Sequence, residues 1–104
     1  MPSPELVLVV RRPVRWRRVG TEAVVVLQDA GQVAGLNGTA AAVLGSIDGR
    51  TTVEGVVDLL APRWAVSRER LAEDVGRILD QLLEMRVLEV VQAGEGTPES
   101  ERPA

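Results

Sequence analysis

The chain has 104 residues, of which 45% are hydrophobic, which is enough for one small domain with its own core. It contains no His, Cys, Tyr or Lys, so it lacks the side chains most used for proton transfer, nucleophilic catalysis and zinc binding. The formal net charge is −3 and only two aromatic residues occur, both Trp, which disfavours general attraction to phosphate backbones and stacking on bases. We therefore expect a noncatalytic domain without cofactor or metal.

The location of the protein is predicted from what its N-terminus lacks. The longest early apolar run, residues 6–10, spans five residues and has no positively charged segment before it. It is too short for a membrane span and does not have the pattern of a signal peptide. The absence of Cys is compatible with a reducing compartment. We expect a cytoplasmic protein that does not bind membranes.

The first third of the chain predicts strands. Residues 1–13 are expected to be an N-terminal arm, with a short apolar strand at 6–10. The alternation over 14–19 predicts a half-exposed strand. The β-branched run within 22–28 favours a strand covered on both faces. A Gly-containing turn then leads into a returning strand at 32–36, so these three strands form an antiparallel sheet.

Two short helices are predicted next. The first is entered through Asn37 or Thr39 as N-cap and ended by residues 48–49, an Asp-Gly pair. Thr51 and Glu54 have the spacing of a capping box, so they predict the start of the second helix.

A third and longest helix is predicted after Ser67, which is its expected N-cap. Its apolar positions repeat at helical spacing: Leu71, Val75, Ile78, Leu79 and Leu82. Glu73 stands four residues before Arg77, a spacing that favours a surface ion pair. Residues 87–91 predict a brief terminal strand, and the polar tail 92–104 is expected to be disordered.

This order predicts an α+β fold, in which a small domain similar to a winged helix-turn-helix has an N-terminal antiparallel three-stranded sheet followed by three helices. The domain is expected to span residues 14–91. Carboxylates at Glu73, Asp74 and Asp80 lie on one helix, but their spacing is typical of a solvated face rather than an active site.

The same helix order is also compatible with a winged-helix transcriptional regulator that binds DNA through the third helix. The charges disfavour this alternative, because residues 67–86 carry four Arg against five acids. Five Arg cluster between residues 11 and 18, as either a solvated strand face or a docking patch. A subunit of an unrelated enzyme complex is a third interpretation.

A series of short motifs resembles the PqqD family, the peptide chaperones of pyrroloquinoline quinone biosynthesis, and the wider class of precursor-peptide recognition elements. The resemblance covers residues 14–89. Two positions depart from the family pattern, because many members carry an aromatic residue where this chain has Gly35 and Ile78. The motifs are Leu36-Asn37, Thr39-Ala40-Ala41 with Leu44, Asp48-Gly49, Thr52-Val53-Glu54, Asp74-Val75, and Ile78-Leu79 with Leu82.

The resemblance implies that the domain binds the leader segment of a ribosomally made precursor peptide as an added strand. It implies further that the domain presents this peptide to a modifying enzyme, such as a radical S-adenosylmethionine protein or a leader peptidase. The peptide would lie between the third strand of the sheet and the third helix. The expected contact residues are Gln32, Val33, Ala34, Gly35 and Leu36 on the strand, and Arg70, Asp74, Arg77, Ile78 and Gln81 on the helix.

Two alternatives stay open at these positions. Asp74 either contacts the peptide or is a surface acid paired with Arg70. An open strand edge can also pair with a second copy of the chain, so a homodimer is a further expectation. No nucleic-acid partner is expected.

Overall fold

The computed structural model describes residues 2–91 of the chain. It confirms the α+β fold class, with an antiparallel three-stranded sheet followed by three α-helices. A short 3-10 turn at Ala61–Arg63 follows the second helix. In chain order, the described elements are β1 (Val7–Val10), β2 (Val14–Val19), β3 (Glu22–Leu27), β4 (Gln32–Leu36), α1 (Gly38–Gly45), α2 (Val53–Leu60), α3 (Arg68–Glu84) and β5 (Leu88–Val91).

The three-stranded sheet has the order β2-β3-β4 and is antiparallel throughout. The side chains of Ala23, Val25 and Leu27 are buried against the helices and form its inner face. The expectation that this strand is covered on both faces is wrong, because Val24 and Val26 are partly exposed on the outer face. An unbroken run of β-branched residues predicts a strand, but it does not reveal how many faces are covered.

A second sheet of two strands was not predicted. Strand β1 pairs antiparallel with β5, so that Val10 lies opposite Leu88. The strand expected in the N-terminal arm therefore forms, and its Leu8 is 1% exposed within the core. The arm also bonds to α2, since the amide of Val53 donates to the carbonyl of Leu6 at 2.8 Å. The first strand thus contributes to the core of the domain.

Helix α1 begins where β4 ends. Asn37 is the N-cap, and its side-chain oxygen accepts a hydrogen bond from the amide of Ala40 at 2.9 Å. The predicted end at Asp48 and Gly49 is wrong, because the helix stops at Gly45. The carboxylate of Asp48 instead accepts bonds in the following loop, including one from the amide of Thr51 at 2.7 Å.

The other two helices start at capping side chains. The N-cap of α2 is Thr52 rather than the predicted Thr51, and its hydroxyl accepts from the amide of Gly55 at 3.0 Å. The N-cap of α3 is Ser67, as predicted, and its hydroxyl accepts from the amide of Arg70 at 3.1 Å. The buried residues of α3 include Leu71, Val75, Leu79 and Leu82, which complete the core.

Within residues 2–91, no helix has both the length and the apolar character needed to cross a membrane. Residues 92–104, for which the sequence predicts a disordered tail, lie outside the described residues.

Candidate functional site

Strand β4 lies at an edge of the three-stranded sheet. Within the described part of the chain, its only strand partner is β3, so the opposite edge of β4 carries no neighbouring strand. Unpaired backbone N–H and C=O groups along such an edge are the groups that pair with an added strand. The edge therefore has the basic geometry required of a strand acceptor.

The alternation of hydrogen-bonded and non-hydrogen-bonded residue pairs in the sheet identifies which backbone N–H and C=O groups of β4 point away from β3. In antiparallel pairs, hydrogen-bonded positions alternate with non-hydrogen-bonded ones. The amide of Gln28 donates to the carbonyl of Pro13 at 3.0 Å, just beyond the paired positions Val14 and Leu27. The even-numbered residues of β3 therefore bond to β2, and its odd-numbered residues bond to β4. By this register, Val33 and Gly35 direct their backbone groups away from β3.

The two edges of this sheet differ in charge. Strand β2 forms the other edge and carries Arg15, Arg17 and Arg18 among its six residues. Charged side chains on an edge strand oppose pairing with another chain. Strand β4 has no charged residue, and its Val33 is 69% exposed. Of the two edges, β4 is the one suited to accept a strand.

Gly35 leaves open space at this edge. A Cβ atom added to Gly35 would have no neighbour within 4 Å, whereas one added to Gly38 would lie 3.3 Å from the carbonyl oxygen of Thr21. Gly38 is therefore constrained by packing and Gly35 is not. Absence of a side chain at Gly35 leaves the sheet surface accessible beside the outward backbone groups.

The polar flank of α3 is organised around Asp74. Its carboxylate lies 2.8 Å from the guanidinium of Arg77 and 3.7 Å from that of Arg70. Arg77 thus pairs with Asp74 and not with Glu73, the partner expected from the sequence. The Asp74 side chain is 28% exposed, against 69% for Arg70 and 65% for Arg77. The expected pairing of Asp74 with Arg70 is present, and contact with a peptide stays a prediction.

The two predicted sets of contact residues share a scaffold but do not bond to each other. Helix α1 packs against β4 and against α3. Leu36 at the end of β4 and Leu79 of α3 lie in the same core, and Ile78 packs at its margin while Gln81 is exposed. Among residues 2–91, no hydrogen bond or ion pair joins the β4 set to the α3 set.

A separate cavity was not anticipated from the sequence. It has a volume of about 520 Å³ and lies where the start of α1 meets the β2–β3 turn. Its walls come from three segments far apart in the chain, so no local motif could have indicated it. The side chain of Arg18 on one wall lies 6.0 Å from the ring centre of Trp16. The lining residues are Arg18, Gly20, Thr21, Gly38, Thr39, Ala42, Arg63 and Trp64.

Arg11, the first member of the arginine cluster, has a structural role. Its guanidinium donates to the carboxylate of Asp29 at 2.8 Å and to the carbonyl of Arg86 at 2.6 Å. The hydrogen bond from Arg11 holds the pKa of Asp29 below its ordinary value. Arg11 is therefore held by partners within the domain.

No group of three or more acidic side chains within the described residues is arranged to hold a metal ion.

Comparisons with known proteins give a family and a fold. The family model for coenzyme PQQ synthesis protein D (PqqD) matches residues 22–88, well over half of the chain. One similar solved structure is that of TbiB1 in complex with the TbiA(beta) leader peptide, with a TM-score of 0.72 and 20% sequence identity. The match covers 78% of this chain and 94% of that chain, and at this identity it shows a shared fold. A sequence search of curated proteins gave no match.

Proposed function

The chain belongs to the PqqD family, and on this premise we propose that it binds the leader segment of a ribosomally made precursor peptide. In this proposal the peptide pairs with β4 as a fourth strand, and the domain presents it to a modifying enzyme. The solved complex of TbiB1, which has the same fold, contains a leader peptide and so supports a peptide as the ligand.

The observation that carries the proposal is the open, uncharged edge of β4. A strand added there takes two N–H donors and two C=O acceptors from Val33 and Gly35. Main-chain bonds of this kind supply affinity for an extended peptide without depending on its side chains. Antiparallel addition continues the pairing already present in the sheet.

Selectivity in this proposal comes from the helical side of the added strand. Alternate side chains of an extended peptide point to opposite faces of the sheet. In this proposal, one set faces the helical side and contacts the flank of α3 on which Ile78 is partly buried and Asp74 lies between two arginines. This flank combines an apolar position with a fixed charge pattern, which suits it to discriminate between leader sequences.

The domain has a binding role in this proposal and no catalytic one. Its sequence contains no His, Cys, Lys or Tyr to activate a nucleophile or transfer a proton near neutral pH. Chemical modification of the bound peptide is therefore assigned to the partner enzyme.

The direct test is a calorimetric titration of the purified chain with the leader segment of the precursor peptide encoded beside its gene. A scrambled leader of the same composition serves as the control. We expect saturable one-to-one binding of the native leader and at least tenfold weaker binding of the scrambled one. Equal affinity for both peptides, or binding of duplex DNA with a steep salt dependence in place of the leader, would contradict the proposal.

A further inference from the structure

The alternation of β2 separates its arginines between the two faces of the sheet. Arg15 and Arg17 lie on the outer face, while Arg18 lies on the inner face, where it approaches the ring of Trp16. The register of the three strands places the outer residues in two rows across the sheet. One row is Arg15, Val26 and Val33, and the next is Arg17, Val24 and Gly35.

This outer face is apolar at its centre and basic along one side. Val24 and Val26 are partly exposed, and Val33 beside them is 69% exposed. A shallow hollow of about 130 Å³ lies over β2 and β3, with room for a single aliphatic side chain. Its lining residues are Arg15, Trp16, Arg17, Val24 and Val26.

The arginines bordering the hollow are without acidic partners in the described residues. Among residues 2–91, Arg15 donates only to the backbone carbonyl of Arg12, at 3.1 Å, and Arg17 makes no ion pair or side-chain hydrogen bond. Arg11, by contrast, is fixed by Asp29. The guanidinium groups of Arg15 and Arg17, beside exposed valines, can therefore form ion pairs with carboxylates of another molecule.

We propose that this outer face is the docking surface for the modifying enzyme, and that the matching surface of the enzyme is apolar at its centre with carboxylates at its rim. The inference rests on the proposed function, because that function supplies the partner. The position supports it, since Val33 borders both the outer face and the β4 edge. An enzyme docked here lies directly beside a peptide paired with β4.

Charge distinguishes this occupant from a second copy of the chain. On the outer face of the three strands, Glu22 is the only acid, against Arg15 and Arg17. Two such faces brought together would keep an excess of positive charge, which opposes association. A partner with an acidic rim neutralises both arginines, so the charge pattern favours a different protein over self-association.

The test measures binding of the purified chain to the modifying enzyme encoded beside its gene, by biolayer interferometry without leader peptide. The first variant combines Arg15→Glu with Arg17→Glu. Its matched control combines Arg50→Glu with Arg63→Glu, which gives the same change of net charge at exposed positions off this face. The second variant is Val26→Thr, which keeps the β-branched shape but makes the hollow polar.

We expect the Arg15/Arg17 variant to bind the enzyme at least tenfold more weakly, mainly through slower association, and the control to bind as wild type does. Val26→Thr should weaken binding severalfold. Affinity for the leader, titrated separately without enzyme, should not change in these variants. Failure of leader binding would therefore overturn the proposed function alone, because the enzyme measurement contains no leader.

Four results would overturn the docking surface. The first is that the wild-type chain does not bind the enzyme, and the second is that the wild type and the Arg15/Arg17 variant bind it equally well. The third is that the wild type forms a dimer and the Arg15/Arg17 variant does not. The fourth is that the wild type binds duplex DNA and the same variant does not. The last two are read by analytical ultracentrifugation and by fluorescence anisotropy of a labelled duplex.

Discussion

Gly35 of β4 lies opposite Val24 of β3 in a position where its own N–H and C=O face away from the sheet. The backbone N–H of Gly35 therefore makes no hydrogen bond to β3. This relationship makes Gly35 the position at which one outward donor can be removed while the three-stranded sheet is left intact.

Replacing Gly35 by Pro should weaken leader binding about five- to tenfold. Proline removes the outward N–H, and the loss of one hydrogen bond costs about 1 kcal/mol. The far-UV circular dichroism spectrum should stay as in wild type, because an edge position tolerates proline. The control is Gly35→Ala, which keeps the donor and places a Cβ in open space. Calorimetry measures both affinities, and wild-type affinity in the proline variant would be the contradictory outcome.

Replacing Asp74 by Asn should weaken leader binding severalfold and change stability by less than about 1 kcal/mol. The stability effect is small because both arginine partners are largely exposed. The affinity effect is expected because the two guanidinium groups lose the carboxylate that orients them. Glu73→Gln is the matched control, since it removes an adjacent exposed acid from the same helix. If both variants bind the leader equally well, this flank of α3 is not part of the peptide site.

Replacing Asn37 by Ala should lower the free energy of unfolding by about 1 kcal/mol, because the Ala40 amide loses its capping acceptor. For a domain of this size, that corresponds to a fall in Tm of about 4–8 °C. Asn37→Asp retains an acceptor at the same position and should stay close to wild type. Thermal unfolding at neutral pH makes the comparison, and equal losses in both variants would show that the cap is not the cause.

The stabilising contribution of Asp48 should depend on pH in the acidic range. The amide of Thr51, then the amide of Arg50 and the hydroxyl of Thr51, hold the pKa of Asp48 below its ordinary value of 3.8. A carboxyl whose pKa is depressed by folding contributes stability that is fully present above its unfolded pKa and is lost as the pH falls through its folded pKa. Asp48→Asn should therefore have a lower Tm than wild type at pH above 3.8, and the difference should shrink progressively below it. A difference that is constant down to the acid limit would contradict this assignment.

Much of the architecture follows from local patterns. The alternation in β2, the valine run of β3 and the Gly-containing turn before β4 predict the three-stranded sheet. Ser67 followed by apolar residues at helical spacing predicts α3. These signals lie within single segments, and each segment has a side-chain period that matches its secondary structure.

Contacts between distant segments could not be predicted in the same way. The pairing of Val10 with Leu88 joins the two ends of the described chain, and a local pattern contains no information about such a partner. The choice of Thr52 over Thr51 as the cap of α2 also depends on the surroundings. The carboxylate of Asp48 bonds the amide and hydroxyl of Thr51, which leaves Thr52 to start the helix.

The candidate site, too, was predictable from the sequence only in part. An uncharged returning strand at the end of the sheet marks β4 as an edge from the sequence. Which backbone groups of β4 point outward could be determined only from the structure. The hydrogen bond from the amide of Gln28 to the carbonyl of Pro13 shows which residue pairs of the sheet are hydrogen-bonded. Likewise, the helical spacing offers Arg77 two acidic partners, Glu73 and Asp74, and only the structure identifies Asp74 as the one it contacts.

The most direct measurement of the central claim is the set of intermolecular nuclear Overhauser effects between an unlabelled leader peptide and the isotope-labelled chain. Strand addition to β4 predicts cross-strand effects from the peptide backbone to Val33 and Gly35, with none to the outward positions of β2. Effects to Trp16 and Arg18 on β2, or to Trp64 in the cavity beside α1, with none to Val33 or Gly35, would contradict the account.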